Sequence, residues 1–122
     1  MAKTVLVVDD DGLIRRSLSN ILQQNDVRVI EASNGKDGLE KVKQEDINLV
    51  VTDLRMPEMD GMEMVEKLRK TDKGKNLRVI ILSTDEETTT VNQAMKAGVT
   101  TYLSKTMLDL ETIAKQIISS LS

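Results

Sequence analysis

One stretch decides the fold of this chain: Val50-Val-Thr-Asp-Leu-Arg-Met-Pro-Glu-Met-Asp-Gly61. An apolar run leads into a single aspartate, Asp53, and Pro57 and Gly61 then interrupt the chain before a helical pattern begins. A buried strand that ends in a carboxylate is typical of open α/β sheets, which bind ligands at the carboxyl ends of their strands. The stretch therefore predicts a strand, a loop and a helix, with Asp53 at the tip of the strand.

Four more apolar runs alternate with helical patterns along the chain. The five predicted strands are 5–8, 27–30, 49–52, 79–82 and 100–104. Short runs of β-branched residues are typical of strands that are buried on both faces. Strand–helix units with short connections predict a parallel sheet with helices on both faces and right-handed crossovers. We therefore expect one domain over residues 1–122, an α/β doubly wound (βα)5 flavodoxin-like fold with strand order 2-1-3-4-5.

Helical periodicity assigns faces and ends to the predicted helices. In the first helix the apolar positions share one face, which places Arg15 and Arg16 on the outside. Asp60 and Glu63 have the spacing of a capping box at the start of the third helix. The β-branched run 88–90 predicts a frayed or mobile start for the fourth helix. The other predicted caps are Asp11, Asn34 and Asp109 at helix starts and Gly98 at a helix end.

Composition excludes several classes of function. The net charge of -3, without a dense Lys/Arg cluster, argues against direct binding of nucleic acid. The chain has no cysteine and no histidine, which excludes disulfides, thiolate and imidazole chemistry and most zinc sites. No apolar run approaches the roughly 20 residues of a membrane span, and the first residues lead directly into a strand rather than a signal peptide. We therefore expect a cytoplasmic protein that does not bind a membrane.

Polar side chains follow four of the predicted strands. They are Asp9 and Asp10, then Asp53, then Ser83 and Thr84, and finally Lys105. Asp10 or Asp53 alone could equally be a turn former or a helix cap, and Lys105 alone is usually a solvated charge, but in the order 2-1-3-4-5 all of these residues share one edge of the sheet. Three adjacent carboxylates repel one another, and a cation relieves that repulsion. Oxygen ligands with room for water suit Mg²⁺, and without imidazole or thiol the candidate nucleophile is a carboxylate, as in aspartyl-phosphate chemistry.

The whole chain resembles the receiver domain of two-component response regulators, in its single-domain chemotaxis-type form. The most specific string is Asp53-Leu-Arg-Met-Pro-Glu-Met-Asp-Gly61, and the supporting strings are Val7-Val-Asp-Asp10, Leu82-Ser83, Ala97-Gly98 and Tyr102-Leu-Ser-Lys105. The resemblance implies a phosphorylation-dependent signalling switch. Such a protein catalyses only its own phosphorylation and dephosphorylation and is not an enzyme with other substrates.

The resemblance also implies roles for individual residues. Asp53 is the implied phosphoacceptor, and Lys105 contacts the phosphoryl oxygens and the Asp53 carboxylate. Ser83 takes the place of the switch hydroxyl, and Tyr102 takes that of the aromatic whose rotamer reports the state. The implied cofactor is Mg²⁺, and its implied ligands are Asp10, Asp53 and the backbone carbonyl of Arg55, with Asp9 acting through a metal-bound water.

The implied partners are of two kinds. A histidine kinase or a phosphotransfer domain supplies the phosphoryl group from a phosphohistidine. An output protein binds the face formed by the fourth helix, the fifth strand and the fifth helix, because the added charge shifts the population of that face. The chain itself is expected to be a monomer, or a weak dimer that depends on phosphorylation.

The sequence departs from the family pattern at three positions. Thr106 follows Lys105, where the family usually has a proline after a cis peptide bond. A cis bond before a non-proline residue costs about 3–4 kcal/mol, so we expect a trans or heterogeneous bond and a looser loop. Thr84 stands where the family prefers a smaller residue, and it is expected to narrow access to the phosphoryl site.

The third departure is Arg55, two residues after the expected phosphoacceptor. We expect Arg55 to reach across the mouth of the site toward Asp85 or Glu86 and to alter the entry of hydrolytic water. Arg55, Thr84 and Asp85 are therefore the predicted tuning residues.

Two other functions remain open at this point. A pseudo-receiver would use the same fold as a constitutive protein-binding module; the complete acidic set argues against it and only Thr106 favours it. A phosphatase with an aspartate nucleophile usually has an acid two residues after that nucleophile, where this chain has Arg55.

Overall fold

Five strands and five helices alternate in the computed structural model, which describes residues 2–85 and 87–122. The strands are β1 (Thr4–Val8), β2 (Arg28–Ala32), β3 (Leu49–Thr52), β4 (Arg78–Ser83) and β5 (Thr101–Ser104). The helices are α1 (Gly12–Gln24), α2 (Gly35–Gln44), α3 (Gly61–Leu68), α4 (Thr88–Lys96) and α5 (Leu110–Ser119). Within the described ranges, no helix is both long enough and apolar enough to cross a membrane.

The strands form one parallel sheet in the order β2-β1-β3-β4-β5. The predicted fold class and strand order are therefore confirmed. The register pairs Val8 with Thr52 across β1 and β3, and Ser83 with Ser104 across β4 and β5. Because paired strands end level with one another, the residues that follow them lie along one edge of the sheet.

The second strand is longer than the sequence predicted. It was expected to end at residue 30, whereas β2 continues to Ala32. Glu31 and Ala32 stay in the sheet because they pair with Val7 and Val8 of β1. This extension brings Glu31 close to the carboxyl end of β1.

Apolar side chains form a core on each face of the sheet. On one face, β-strand residues such as Leu6 and Val50 pack with α2, α3 and α4. On the other face, Val5 and Val51 pack with α1 and α5. The central strands are buried on both sides, as the continuous apolar runs predicted.

Side-chain caps fix the ends of the helices. Four helix starts have the predicted cap, an Asp or Asn side chain that accepts from a backbone N–H of the first turn: Asp11, Asn34, Asp60 and Asp109. At the end of α4, Gly98 has a φ of +84°, in the left-handed region that favours glycine. Glu63 is the second member of the predicted capping box, and its Oε2 lies 3.5 Å from Lys67 Nζ. At the start of α4, Glu87 makes no side-chain cap hydrogen bond, and the mobility expected there stays a prediction.

One prediction about α1 is wrong. Periodicity placed Arg15 on the outside of the helix, but only 16% of its side chain is exposed. The guanidinium folds back onto the ends of β1 and β2, where it donates to the carbonyl oxygen of Asp9 and to Glu31. Helical periodicity cannot detect such partners, because they lie on other elements of the sheet.

Candidate functional site

The sheet itself delivers the site residues, because its hydrogen bonds continue past the strand ends. The backbone N–H of Asp9 donates to Ala32 O at 3.1 Å, and that of Asp53 donates to Val8 O at 2.9 Å. The N–H of Lys105 donates to Ser83 O at 2.9 Å. These bonds hold the first residue after β1, β3 and β5 in register with its neighbouring strand. The predicted convergence at this edge is present.

Lys105 lies between two carboxylates. Its Nζ is 2.8 Å from Asp9 Oδ2 and donates to Asp53 Oδ2 at 3.0 Å. The exposed fractions of the Lys105, Asp9 and Asp53 side chains are 12%, 3% and 13%. Burial would lower the pKa of Lys105, but the two carboxylates outweigh burial and raise it above its ordinary value. For the Asp9 carboxyl, burial acts in the opposite direction and raises the pKa above its ordinary value, although the Lys105 ammonium opposes this shift.

The three carboxylates form a cluster that fits a divalent cation. One oxygen of each of Asp9, Asp10 and Asp53 lies within 4.8 Å of the others. The donors are all hard oxygens, and the exposed Asp10 leaves room for the waters that Mg²⁺ retains. Backbone N–H groups orient two of the side chains: Asp11 N donates to Asp9 Oδ1, and Leu54 N donates to Asp53 Oδ1 at 2.7 Å. The arrangement can therefore hold a cation beside the Asp53 carboxylate.

Asp85 joins the opposite side of the site into one hydrogen-bonded group. Its backbone N–H donates to Ser83 Oγ at 3.1 Å, and its carbonyl accepts from the Tyr102 hydroxyl. Its carboxylate accepts from Arg55 Nη2 at 2.7 Å and from Thr90 Oγ1 at 3.3 Å. Asp85 thus connects the loop that follows Asp53 with β5 and α4.

Arg55 reaches across the mouth of the site to Asp85. The Arg55 side chain is 68% exposed, and its hydrogen bond to Asp85 holds the pKa of that carboxyl below its ordinary value. The other expected partner, Glu86, lies outside the described residues. Thr84 is exposed. A role for Arg55, Thr84 or Asp85 in tuning the site stays a prediction.

Residues 5–118 match the family model of the response regulator receiver domain. The chain belongs to this family. It is 37% identical over 103 residues to a chemotaxis protein CheY homolog of Campylobacter jejuni, which covers 83% of this chain and 79% of that protein. It is 33% identical over 105 residues to the two-component response regulator ORR5 of Oryza sativa, which covers 85% of this chain and 78% of that protein.

Solved structures of receivers superimpose on the chain. A CheY-like response regulator receiver domain protein of Methanospirillum hungatei has a TM-score of 0.90 at 27% identity, over 99% of this chain and 94% of that one. The chemotaxis response regulator CheY4 of Vibrio cholerae has a TM-score of 0.90 at 26% identity, over the full length of both chains. Receiver domains act in phosphorylation-dependent signalling with histidine kinases and output proteins, and they typically bind Mg²⁺ at an acidic pocket.

The loop after β5 departs from the usual receiver in the way that the sequence suggested. The peptide bond between Lys105 and Thr106 is trans. The hydroxyl of Ser104 accepts from the backbone N–H groups of Thr106 and Met107, each at 3.2 Å. A side-chain turn therefore shapes this loop in place of a cis proline. The looser loop that we expected stays a prediction.

Sequence reasoning missed Arg15, which contacts the site, and Glu31, which holds Arg15 in place. Arg15 Nη1 donates to the carbonyl oxygen of Asp9 at 2.7 Å, and Arg15 Nε donates to Glu31 at 2.9 Å. Arg15 and Glu31 are 16 residues apart and lie on different elements. Only the β1–β2 register places them together, so no local sequence pattern indicates the pair.

Proposed function

We propose that this receiver accepts a phosphoryl group on Asp53 and acts as a phosphorylation-dependent signalling switch. The observation that carries the proposal is the position of the Asp53 carboxylate. It lies at the tip of β3, bound to Lys105 and within reach of two further carboxylates. A largely buried lysine that bridges two acids supplies the positive charge that a transferred phosphoryl group requires.

The proposed donor is a phosphohistidine of a histidine kinase or a phosphotransfer domain. A carboxylate oxygen of Asp53 attacks the phosphorus atom in line with the P–N bond. The new P–O bond forms as the P–N bond breaks, and the imidazole nitrogen leaves with the electron pair. The Lys105 ammonium, 3.0 Å from Asp53 Oδ2, offsets negative charge that develops beside it. Lys105 is therefore proposed as a catalytic residue together with Asp53.

The proposed metal ligands are Asp10, Asp53 and the backbone carbonyl of Arg55, with Asp9 acting through a water. When bound, Mg²⁺ supplies positive charge that neutralises the phosphoryl oxygens. The chain prepares for this by holding Asp9 in place on both oxygens, through Asp11 N and Lys105 Nζ. It also leaves Asp10 exposed.

Ser83 and Tyr102 are proposed as the switch residues. A phosphoryl group on Asp53 adds negative charge and strong acceptor oxygens. The Ser83 hydroxyl, which here accepts from Asp85 N, then turns toward the phosphoryl group and releases that N–H. The Tyr102 hydroxyl donates to the carbonyl of Asp85, so a movement of Asp85 is transmitted to β5. The face formed by α4, β5 and α5 shifts toward a form that binds an output protein.

Arg55, Thr84 and Asp85 are proposed to tune the lifetime of the phosphoryl group. The Arg55–Asp85 ion pair closes over the mouth of the site, where hydrolytic water must enter. Arg55→Ala should therefore raise the dephosphorylation rate. Arg16→Ala is the matched control, because it removes an exposed arginine that lies on α1. An unchanged rate in Arg55→Ala would show that the ion pair has no tuning role.

Acetyl phosphate provides the test of the proposed function. With Mg²⁺ present, intact-mass measurement should show one labile phosphoryl group on the wild-type chain. Asp53→Asn should abolish it, and removal of Mg²⁺ with a chelator should suppress it. Labelling that persists in Asp53→Asn contradicts the proposal, and turnover of a generic phosphate ester would point to a phosphatase instead. The cytoplasmic location, and the monomer or weak phosphorylation-dependent dimer, stay predictions.

A further inference from the structure

The guanidinium of Arg15 links α1 to the ends of two strands. Its Nη1 donates to the carbonyl oxygen of Asp9 at 2.7 Å, and its Nε donates to Glu31 Oε1 at 2.9 Å. Only 16% of the Arg15 side chain is exposed. An arginine on a helix surface ordinarily extends its charged group into water. The two directed bonds therefore point to a specific task for Arg15 at the carboxyl end of β1.

The bond from Arg15 fixes the peptide unit that joins Asp9 to Asp10. Two other polar groups of Asp9 already have hydrogen-bond partners, because its N–H donates to Ala32 O and its Oδ1 accepts from Asp11 N. The Arg15 bond adds a constraint on the carbonyl, and hence on the plane of the peptide from which Asp10 continues. Two carboxylates of the acidic cluster are attached to the two ends of this peptide unit.

Glu31 orients the Arg15 guanidinium at the end of β1 and offsets its positive charge. The planar guanidinium uses Nε for Glu31 and Nη1 for the carbonyl, and this fork geometry is not available to a lysine. The Glu31 carboxylate also offsets a positive charge that would otherwise repel a cation bound at the neighbouring acidic cluster. Glu31 thus holds the arginine and neutralises it.

We propose that Arg15 and Glu31 are a positioning pair that fixes the Asp9–Asp10 peptide so that the acidic cluster binds its divalent cation. The inference rests on the proposed function, because it takes that cluster to be the Mg²⁺ site. Neither residue touches the reacting atoms; both act through the backbone of Asp9. Partners of this kind, one shell outside the metal ligands, typically change metal affinity 10–100-fold when they are mutated.

Two conservative variants test the pair. Arg15→Lys keeps the charge but loses the fork, and Glu31→Gln keeps the shape but leaves the arginine unneutralised. Each should weaken Mn²⁺ binding to the unphosphorylated chain by about tenfold, measured from the electron paramagnetic resonance signal of free Mn²⁺. The fold-loss of Mn²⁺ affinity in the double variant should be smaller than the product of the fold-losses in the two single variants, because the residues act as a unit.

The chain provides a matched control at the other end of β2. Arg28 and Glu45 form an ion pair with an N–O distance of 3.0 Å; the arginine is far more exposed than Arg15, and the two glutamates are similarly exposed. Arg28→Lys and Glu45→Gln should leave Mn²⁺ affinity unchanged. Urea unfolding of all four single variants measures stability separately from metal affinity, and Glu31→Gln decides the matter if Arg15→Lys does not fold.

A second measurement distinguishes positioning from a purely structural role. In phosphorylation by acetyl phosphate, the Mg²⁺ concentration that gives half the maximal rate should rise about tenfold in Arg15→Lys and Glu31→Gln. The maximal rate should be close to that of the wild type. A structural role would lower stability without this shift.

The outcomes separate this inference from the proposed function. Wild-type Mn²⁺ affinity in both variants, or equal losses in the Arg28 and Glu45 controls, would overturn the positioning pair and leave the phosphoacceptor proposal intact. A wild-type chain that binds no Mn²⁺ would overturn the metal site and the positioning pair together. Weaker binding confined to the Arg15 pair, with a recovered maximal rate, supports the inference.

Discussion

Replacing Lys105 with methionine should destabilise the chain in a way that depends on pH. Methionine retains most of the length of the lysine side chain but removes the charge that lies between Asp9 and Asp53. Removing one partner of a buried ion pair costs about 3–5 kcal/mol, because a buried charge is left without compensation. The acidic cluster opens to solvent at Asp10, so we expect a loss near the lower end, about 3 kcal/mol near neutral pH.

The pH dependence follows from the pKa of Asp9. Burial already raises this pKa, and the variant lacks the lysine that opposes the shift. A raised pKa means that the folded chain binds the proton more tightly than the unfolded chain does. Stability from this group is therefore present below the ordinary aspartate pKa and is lost as the pH rises through the raised value. The difference between Lys105→Met and wild type should be small near pH 4 and large near pH 7.

Urea unfolding at several pH values, with and without Mg²⁺, measures this difference. Lys115→Met is the control, because it removes an exposed lysine from α5. Mg²⁺ should reduce the deficit of Lys105→Met, because without the lysine charge beside Asp9 and Asp53 the carboxylates attract the cation more strongly, so that Mg²⁺ stabilises the variant more than the wild type. A deficit that does not change with pH, or one no larger than that of Lys115→Met, would refute the account of the buried charges.

Three further substitutions test how the surrounding structure supports the site. In Gly61→Ala the new Cβ would lie 2.2 Å from the carbonyl oxygen of Asp53; we expect a loss of about 1–3 kcal/mol in urea unfolding and slower phosphorylation, and a wild-type rate would contradict the contact. Arg69 donates to four backbone carbonyls, in the loop before β4 and at the end of α4. Arg69→Met should therefore cost about 1–3 kcal/mol for the carbonyls left without a donor, and an unchanged urea midpoint would refute this. Asp109 caps α5, and the bond from Thr112 N lowers the pKa of the Asp109 carboxyl. The stability lost in Asp109→Ala should therefore be present at neutral pH and disappear as the pH falls through that lowered pKa. A loss of stability that persists in acid would exclude capping by the carboxylate.

The sequence predicted the parts of the site that depend on the sheet. Asp53, Asp10 and Lys105 each follow a strand, so strand order alone places them on one edge. Helix caps were also predictable, because a cap depends on residues within one turn of one another. These features are local in sequence or follow from the topology of a parallel sheet.

The remaining contacts depend on register and on side-chain direction. Helical periodicity placed Arg15 on the solvent face of α1, and the β2 extension that brings Glu31 to it begins after the last residue of the predicted strand. Arg69 ends α3 with bonds to the end of α4 and the preceding loop, and no periodic pattern encodes those bonds. Arg55 was predicted to contact Asp85 or Glu86, but the bonds from Asp85 to Ser83, Tyr102 and Thr90 were not predicted.

The identity of the phosphorylated carboxylate tests the central claim most directly. Borohydride reduces an acyl phosphate to the alcohol, so a phosphorylated aspartate becomes homoserine, whereas a free carboxylate does not react. After treatment with acetyl phosphate and Mg²⁺, then borohydride, peptide mass spectrometry should find homoserine at position 53. Homoserine at position 9 or 10 instead, or at none of the three, would contradict the assignment of Asp53 as the phosphoacceptor.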